Sequence, residues 1–346
     1  MGKNIVILSD GTGQDGGSGH NTNVYKLFNM LLQRSPDQLV FYDQGVGTES
    51  NGIVMKAKGL VSKGTGWGIS NNIKQCYQFL FDNYQTGDQI YLLGFSRGAT
   101  TIRSLSSFIH LFGILPQSRP KLIKQAYDIY KETNKDKRKK RADEFIARHH
   151  TIWTKIKFIG AWDTVAALGV PFKWVDKIVN AMPFFKHGFQ DLTLSPSVQN
   201  AYHALAIDDE RLTFHPVLWD AEVEEGQRVK QVWFAGMHTD VGGGYKEKTL
   251  SDVPLEWMIE KAEKHGLLIY EKHKVGITPD ANGIMHNSRG KLFEKMYRRK
   301  ERSWPDGRSD VPLVHVSVTK RTKNKKNEDD PPYEPWILKE NYNVEP

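Results

Sequence analysis

Short, uninterrupted apolar runs recur along the chain, and most are followed by a stretch with helical spacing. Asn4-Ile-Val-Ile-Leu-Ser9 is apolar at every interior position, the pattern of a strand covered on both faces. From Asn23, apolar residues at 24, 27, 28, 31 and 32 fall three to four apart and predict a helix to about Gln33. The same reasoning gives strands at 38–43, 89–93, 156–162, 228–236 and 313–318. It gives helices around Cys76, over 99–112, and at about 119–133, 136–150, 171–185, 197–207 and 253–265. From Lys320 the chain is polar and carries Pro331-Pro332, which reads as an irregular tail pinned by Trp336. Alternation of buried strands and helices predicts an α/β fold, a mostly parallel sheet with helices on both faces. With no repeat and no linker composition, the expectation is one domain over 1–320, helical insertions near 114–150 and 170–207, and a polar tail over 321–346.

The totals narrow the picture. At 346 residues, 39% hydrophobic and 25% charged, the chain has the composition of a globular protein with a substantial core. It has no apolar run of about 18 residues, the length a membrane helix needs. The opening Met1-Gly-Lys-Asn-Ile-Val-Ile-Leu is too short for a signal peptide, and Val6 stands where a myristoylation signal wants Ser or Thr. A cytoplasmic protein is expected, with export by a route that needs no cleaved signal left open. Cys76 is the single cysteine and falls on the apolar face of its helix, the setting of a buried inert thiol.

The net charge of +8 is clustered in Asn134-Lys-Asp-Lys-Arg-Lys-Lys-Arg141 and Lys320-Arg-Thr-Lys-Asn-Lys-Lys326. Such blocks are solvated faces or weak attractors of an anionic membrane surface. No aromatic residues are interleaved with them, so nucleic acid is not an expected partner. Oligomeric state is not legible in the chain.

The centre of the sequence is Gly94-Phe95-Ser96-Arg97-Gly98, a G-x-S-x-G pentapeptide between an apolar strand and a helix. That context is the one a nucleophile elbow needs, with Gly94 and Gly98 where strand and helix backbones come too close for side chains. A serine hydroxyl attacks only if an imidazole takes its proton and a carboxylate orients that imidazole. Polar residues end the strands at the edge where a parallel sheet binds ligands: Asp10, Asp43, Ser96, Asp163, and His238 with Asp240. His238 is the candidate base and Asp163 the candidate orienting acid, in the chain order of α/β-hydrolases. His315, in the last strand, is the alternative base; Asp240 and Asp10 are alternative acids. His203 is expected to be structural, and His20, His149 and His150 solvated.

Two backbone N–H groups would hold the oxyanion. Arg97 supplies one, and Gly11 or Thr12 in the glycine-rich loop after the first strand supplies the other. That loop lacks a P-loop ending and G-x-G-x-x-G spacing, so no nucleotide cofactor is expected. A metal phosphoesterase built on Asp10, Asp163, His238 and Asp240 is an alternative, as is a binding protein that kept the fold. Neither H-x-x-x-H nor paired carboxylates support a metal site, and neither alternative explains the elbow.

The segments also resemble a family. Ser9-Asp-Gly-Thr-Gly13, Asn21-Thr-Asn-Val-Tyr-Lys-Leu27, Tyr42-Asp-Gln-Gly-Val-Gly-Thr48 and Gly94-Phe-Ser-Arg-Gly-Ala99 come first. Ala161-Trp-Asp-Thr-Val165 and Ala204-Leu-Ala-Ile-Asp-Asp-Glu-Arg211, with Phe214 and Trp219, follow. Trp233-Phe-Ala-Gly-Met-His-Thr-Asp-Val-Gly-Gly-Gly-Tyr245 is the last. In this order they resemble the α/β-hydrolase family, long labelled a domain of unknown function, that includes catalytic domains of type VI secretion phospholipase effectors. The resemblance implies a serine hydrolase of carboxylic esters, with some members acting as phospholipases, and carries over Ser96 as nucleophile; no cofactor is expected. Asp163 and His238 match motif positions of the family. The apolar insert bearing Trp174, Phe184 and Phe185 would line an acyl pocket, act as a lid, or pack in the core.

Overall fold

A computed structural model describes residues 2–11, 17, 19–45, 66–165, 193–290, 297–323 and 332–346. Thr12, the insert at 171–185 and the end of the second basic block lie outside them. Strand β1 (Asn4–Ser9) is buried at every position. Its Ile5 and Ile7 join one hydrophobic cluster and its Val6 and Leu8 another, because successive side chains leave opposite faces of a strand. The remaining strands among the described residues are β2 (Arg34–Ser35), β3 (Gln38–Asp43), β4 (Gln89–Phe95), β5 (Ile156–Trp162), β6 (Asn200–Ala206), β7 (Arg228–Phe234), β8 (Leu313–His315) and β9 (Asn343–Glu345). They form one sheet of nine strands in the order β2-β3-β1-β4-β5-β6-β7-β8-β9. Every pairing is parallel except β2 with β3.

Helices cover both faces. On one side, α2 (Gly66–Asn83), α3 (Arg97–Phe112), α4 (Lys121–Tyr130) and α5 (Lys135–His149) pack over the cluster that contains Ile5 and Ile7. On the other, α1 (Asn23–Met30), the short α6 (His238–Gly242) and α7 (Thr249–Lys264) cover Val6 and Leu8. Cys76 is free and buried, and burial pushes its thiol well up in pKa. Among the described residues, no helix is long and apolar enough to cross a membrane. The first basic block forms the start of α5, where Lys137 and Arg141 both approach Glu132 and Lys139 pairs with Asp143.

Three elements differ from the pattern-based expectation. Residues expected as a helix over 197–207 form β6 instead, bonded in parallel to β5 and β7. Ala and Leu favour helices intrinsically, but a central strand covered on both faces overrides that preference. The strand expected over 313–318 stops at His315, and α8 (Val316–Lys323) begins there. The segment expected as an irregular tail supplies β9, which pairs with β8 along the sheet edge. Trp336 does fasten that segment: its indole N–H donates to the Ile207 carbonyl at 3.2 Å and its ring meets Trp233 edge-on at 5.3 Å.

Candidate active site

Ser96 sits between β4 and α3 with φ 57° and ψ −121°, a left-handed φ that a residue with a side chain rarely adopts. The turn is as tight as the two glycines allow. A Cβ on Gly94 would lie 2.7 Å from the carbonyl of Gly98, and one on Gly98 would run into the carbonyl of Ser9. Ser96 is 9% exposed, and the amide of the next residue, Arg97, opens α3.

Neighbouring strands bring the partners. Asp163 follows β5 directly, and His238 is the first residue of α6, after β7. His238 Nε2 lies 2.8 Å from Ser96 Oγ, and His238 Nδ1 lies 2.6 Å from Asp163 Oδ2. The imidazole is held between the ring of Phe95, at 4.6 Å, and that of Phe214, edge-on at 5.1 Å. Its backbone N–H donates to Asp209 Oδ2 at 3.2 Å. Asp209 is itself chelated by Arg211, whose guanidinium lies 3.7 Å from the centre of the Phe214 ring.

Asp163 accepts three further hydrogen bonds. Arg302 takes both oxygens, Nη1 to Oδ1 at 2.7 Å and Nη2 to Oδ2 at 2.8 Å, and the Ala206 N–H reaches Oδ1 at 3.0 Å. Burial alone would raise the Asp163 pKa, but the Arg302 charge and the bonds from Arg302 and His238 hold it far below the usual carboxylate range. Burial lowers the His238 pKa below the usual 6.5, with Asp163 acting in the opposite sense. A neutral imidazole facing a serine hydroxyl on one side and an ionised carboxylate on the other can accept a proton and stabilise the resulting charge.

The other candidate residues go elsewhere. Asp240 accepts the Met237 N–H at 3.1 Å and pairs with His286 Nδ1 at 2.6 Å, so it caps α6 and holds a different histidine. His315 stacks on Phe234 at 4.6 Å and meets Ser317 Oγ at 2.8 Å, while burial lowers its pKa to about 4. Asp10 accepts Thr22 Oγ, Tyr42 OH and the Gly11 N–H, at 2.6, 2.6 and 2.7 Å. The Gly11 amide is therefore engaged with Asp10, although Gly11 lies so near the serine that a Cβ on it would be 3.6 Å from Ser96 Cβ. Thr12 lies outside the described residues. His203 is buried on β6 and accepts the Thr164 N–H at 3.0 Å. Among the described residues no three of His, Cys, Asp or Glu converge as a ligand set for a metal ion.

Arg302 and Asp209 did not emerge as site residues from the sequence. Arg302 ends a basic run, Arg298-Arg-Lys-Glu-Arg302, that carries no periodic or motif signal. Asp209 lies within the Asp208-Asp-Glu-Arg211 stretch that carries part of the family resemblance, which was the available pointer to it.

Several known proteins are similar to this chain. An uncharacterized protein of Saccharomyces cerevisiae is 30% identical over 189 residues, which cover 49% of this chain and 27% of the yeast protein. An uncharacterized Pseudomonas aeruginosa protein of known structure is similar over 81% of this chain and 49% of its own, at 16% identity and a TM-score of 0.46. The Tle1 effector, solved bound to the VgrG spike of a type VI secretion system, is similar over 71% of this chain and 52% of its own, at 18% identity and a TM-score of 0.40. This chain thus spans about half the length of those two structures and about a quarter of the yeast relative. Residues 3–261, most of the chain, match the catalytic domain of Tle1-like type VI secretion phospholipase effectors, and the chain belongs to that family.

Proposed function

We propose that the chain is a serine hydrolase of carboxylic esters, with phospholipids as the substrate class, working through an acyl-enzyme on Ser96. The observation that carries this reading is His238 bridging Ser96 Oγ and Asp163 at 2.8 and 2.6 Å, with the serine raised on a strained elbow. The lipid substrate class rests on the family's description as phospholipase effectors.

Ser96 Oγ attacks the ester carbonyl as its proton passes to His238 Nε2. The imidazolium is stabilised through Nδ1–H by Asp163, which stays ionised. The tetrahedral oxyanion forms at the N-terminus of α3, where the Arg97 amide and the aligned peptide dipoles favour negative charge. We assign the first oxyanion contact to Arg97, since the Gly11 N–H is bonded to Asp10. His238 then returns the proton to the departing alkoxide, leaving acyl-Ser96. Water attacks that ester with the same base, and the acid leaves.

A fluorophosphonate probe tests the reading. Wild type is expected to label at Ser96 and to hydrolyse both a short p-nitrophenyl ester and phospholipid vesicles. Ser96→Ala is expected to lose labelling, with kcat lower by roughly 10⁴ or more. Wild type that does not label, or Ser96→Ala that labels equally, removes the serine mechanism. Ester hydrolysis without lipid hydrolysis removes the phospholipid assignment alone.

A further inference from the structure

We propose that Arg302 is a positioning residue of this site. Its guanidinium grips both oxygens of Asp163, fixes the carboxylate against His238 Nδ1, and offsets the negative charge that would otherwise draw a proton onto the imidazole. The proposal rests on the serine-hydrolase reading above.

The geometry is that of a two-pronged ion pair inside the protein. Arg302 is 1% exposed and Asp163 0%. Nη1 also donates to the Ala206 carbonyl at 2.6 Å and Nη2 to that of Phe214 at 2.5 Å, so each prong is anchored to backbone as well as to the acid. Arginine suits this because its planar fork matches a carboxylate, whereas lysine offers only a point charge. The remaining nitrogen, Nε, is buried without an acceptor among the described residues. Leaving a buried donor unsatisfied costs stability, so the side chain is placed for what its two prongs do rather than for complete bonding.

The chain builds this contact from a distance of 139 residues. Residues 298–300 run antiparallel to 210–212, with Leu212 N–H donating to the Arg298 carbonyl at 2.9 Å and Lys300 N–H to that of Glu210 at 2.8 Å. That stitch delivers Arg302 beneath Asp163. Asp163 lies within residues 3–261, the span that matches the family, and Arg302 lies beyond it. The charge partner of the acid therefore comes from a part of the chain that the family match does not reach.

The electrostatic consequence follows from the signs. A buried carboxylate opposite an imidazole with no cation behind it stabilises the imidazolium and raises the histidine pKa. With Arg302 in place the acid and its cation are nearly neutral together, and the imidazole keeps its proton-accepting form. The other charged or titratable groups acting on this set, among the described residues, include Asp209 and Arg211 on His238, Asp208, Asp209 and His215 on Arg302, and His203 on both Asp163 and Arg302.

The test uses the full chain and measures kcat/KM on a p-nitrophenyl ester, and the rate of fluorophosphonate labelling, against pH. Arg302→Met is expected to move the midpoint of the acid limb upward by about one pH unit or more, and so to cost about tenfold at a fixed pH on that limb. Arg302→Lys is expected to restore the midpoint while leaving the maximal rate below wild type, because charge returns without the fork. A folded Arg302→Met enzyme with the wild-type midpoint overturns the proposal, whatever its maximal rate. If Arg302→Met does not fold, Arg302→Lys decides. An unchanged midpoint with a maximal rate below wild type supports the proposal, and a maximal rate equal to wild type, or a shifted midpoint, overturns it. Wild type that never labels at Ser96 sinks the underlying reading instead, which separates the two failures.

Discussion

Gly98 and Ser9 touch backbone to backbone: a Cβ on Gly98 would overlap the Ser9 carbonyl. The first turn of α3 rests directly on the end of β1, and this contact, with Gly94 against Gly98, sets the height of Ser96 above the sheet. Gly98→Ala is therefore expected to force β1 and α3 apart. The cost should be about 1–3 kcal/mol or more by analogy with overpacked cores, with a loss of labelling at Ser96 larger than the loss of folded protein. Urea midpoints and labelling rates check both halves. A variant with wild-type values for each would mean that the backbone contact is dispensable.

Asp10, beside the same elbow, carries a prediction about pH. It is 1% exposed, and burial raises its pKa from 3.8 to about 6 despite the bonds from Thr22, Tyr42 and Gly11. Because the folded value is the higher one, its contribution to stability is fully present below pH 3.8 and is lost as pH rises through about 6. Two pKa units correspond to a loss on the order of 3 kcal/mol. Urea midpoints of wild type and Asp10→Asn, taken from pH 4 to pH 7, isolate this group because other titrations cancel in the difference. Wild type should lose ground to the variant as pH rises; parallel curves would refute it.

What the chain reveals by pattern and what it hides divide along physical lines. Strands such as β1 and β4 are legible because burial on both faces demands unbroken apolar runs, and the elbow is legible because its glycines are demanded by contact between backbones. Ser96 and Asp163 directly follow strands and His238 opens the helix a few residues after another, so reading what each strand leads into groups the three before any distance is known. β6 is hidden because Asn200-Ala-Tyr-His-Ala-Leu-Ala206 has the composition of a helix, and only its two parallel neighbours make it a strand. Arg302 is hidden for a different reason. Its role depends on one long-range ion pair, and a single arginine in a basic run looks like any solvated charge.

Glu345 shows the same limitation at the end of the chain and yields the last prediction. It is the last residue of β9, paired with His315, in a segment whose polar composition suggests an irregular tail. Yet it is 3% exposed, and its carboxylate receives Lys230 Nζ at 2.6 Å and Lys261 Nζ at 3.0 Å, from β7 and α7. Burial works against its ionisation, but the bonds from Lys230 and Lys261 prevail and lower its pKa below 4.5. Glu345→Gln keeps the shape and removes the charge, leaving two ammonium groups facing a neutral amide. The expected cost is about 1 kcal/mol at pH 7, because both ammonium groups keep some contact with solvent and are only partly deprived. The sign with pH is fixed: a lowered carboxylate pKa stabilises above about 4.5 and stops doing so as pH falls through the folded value. The gap between wild type and Glu345→Gln in urea midpoint should therefore be widest at neutral pH and shrink in acid. A gap that is absent at pH 7, or that widens as pH falls, would show that β9 is held by its backbone pairing with β8 and by Trp336 rather than by this charge cluster.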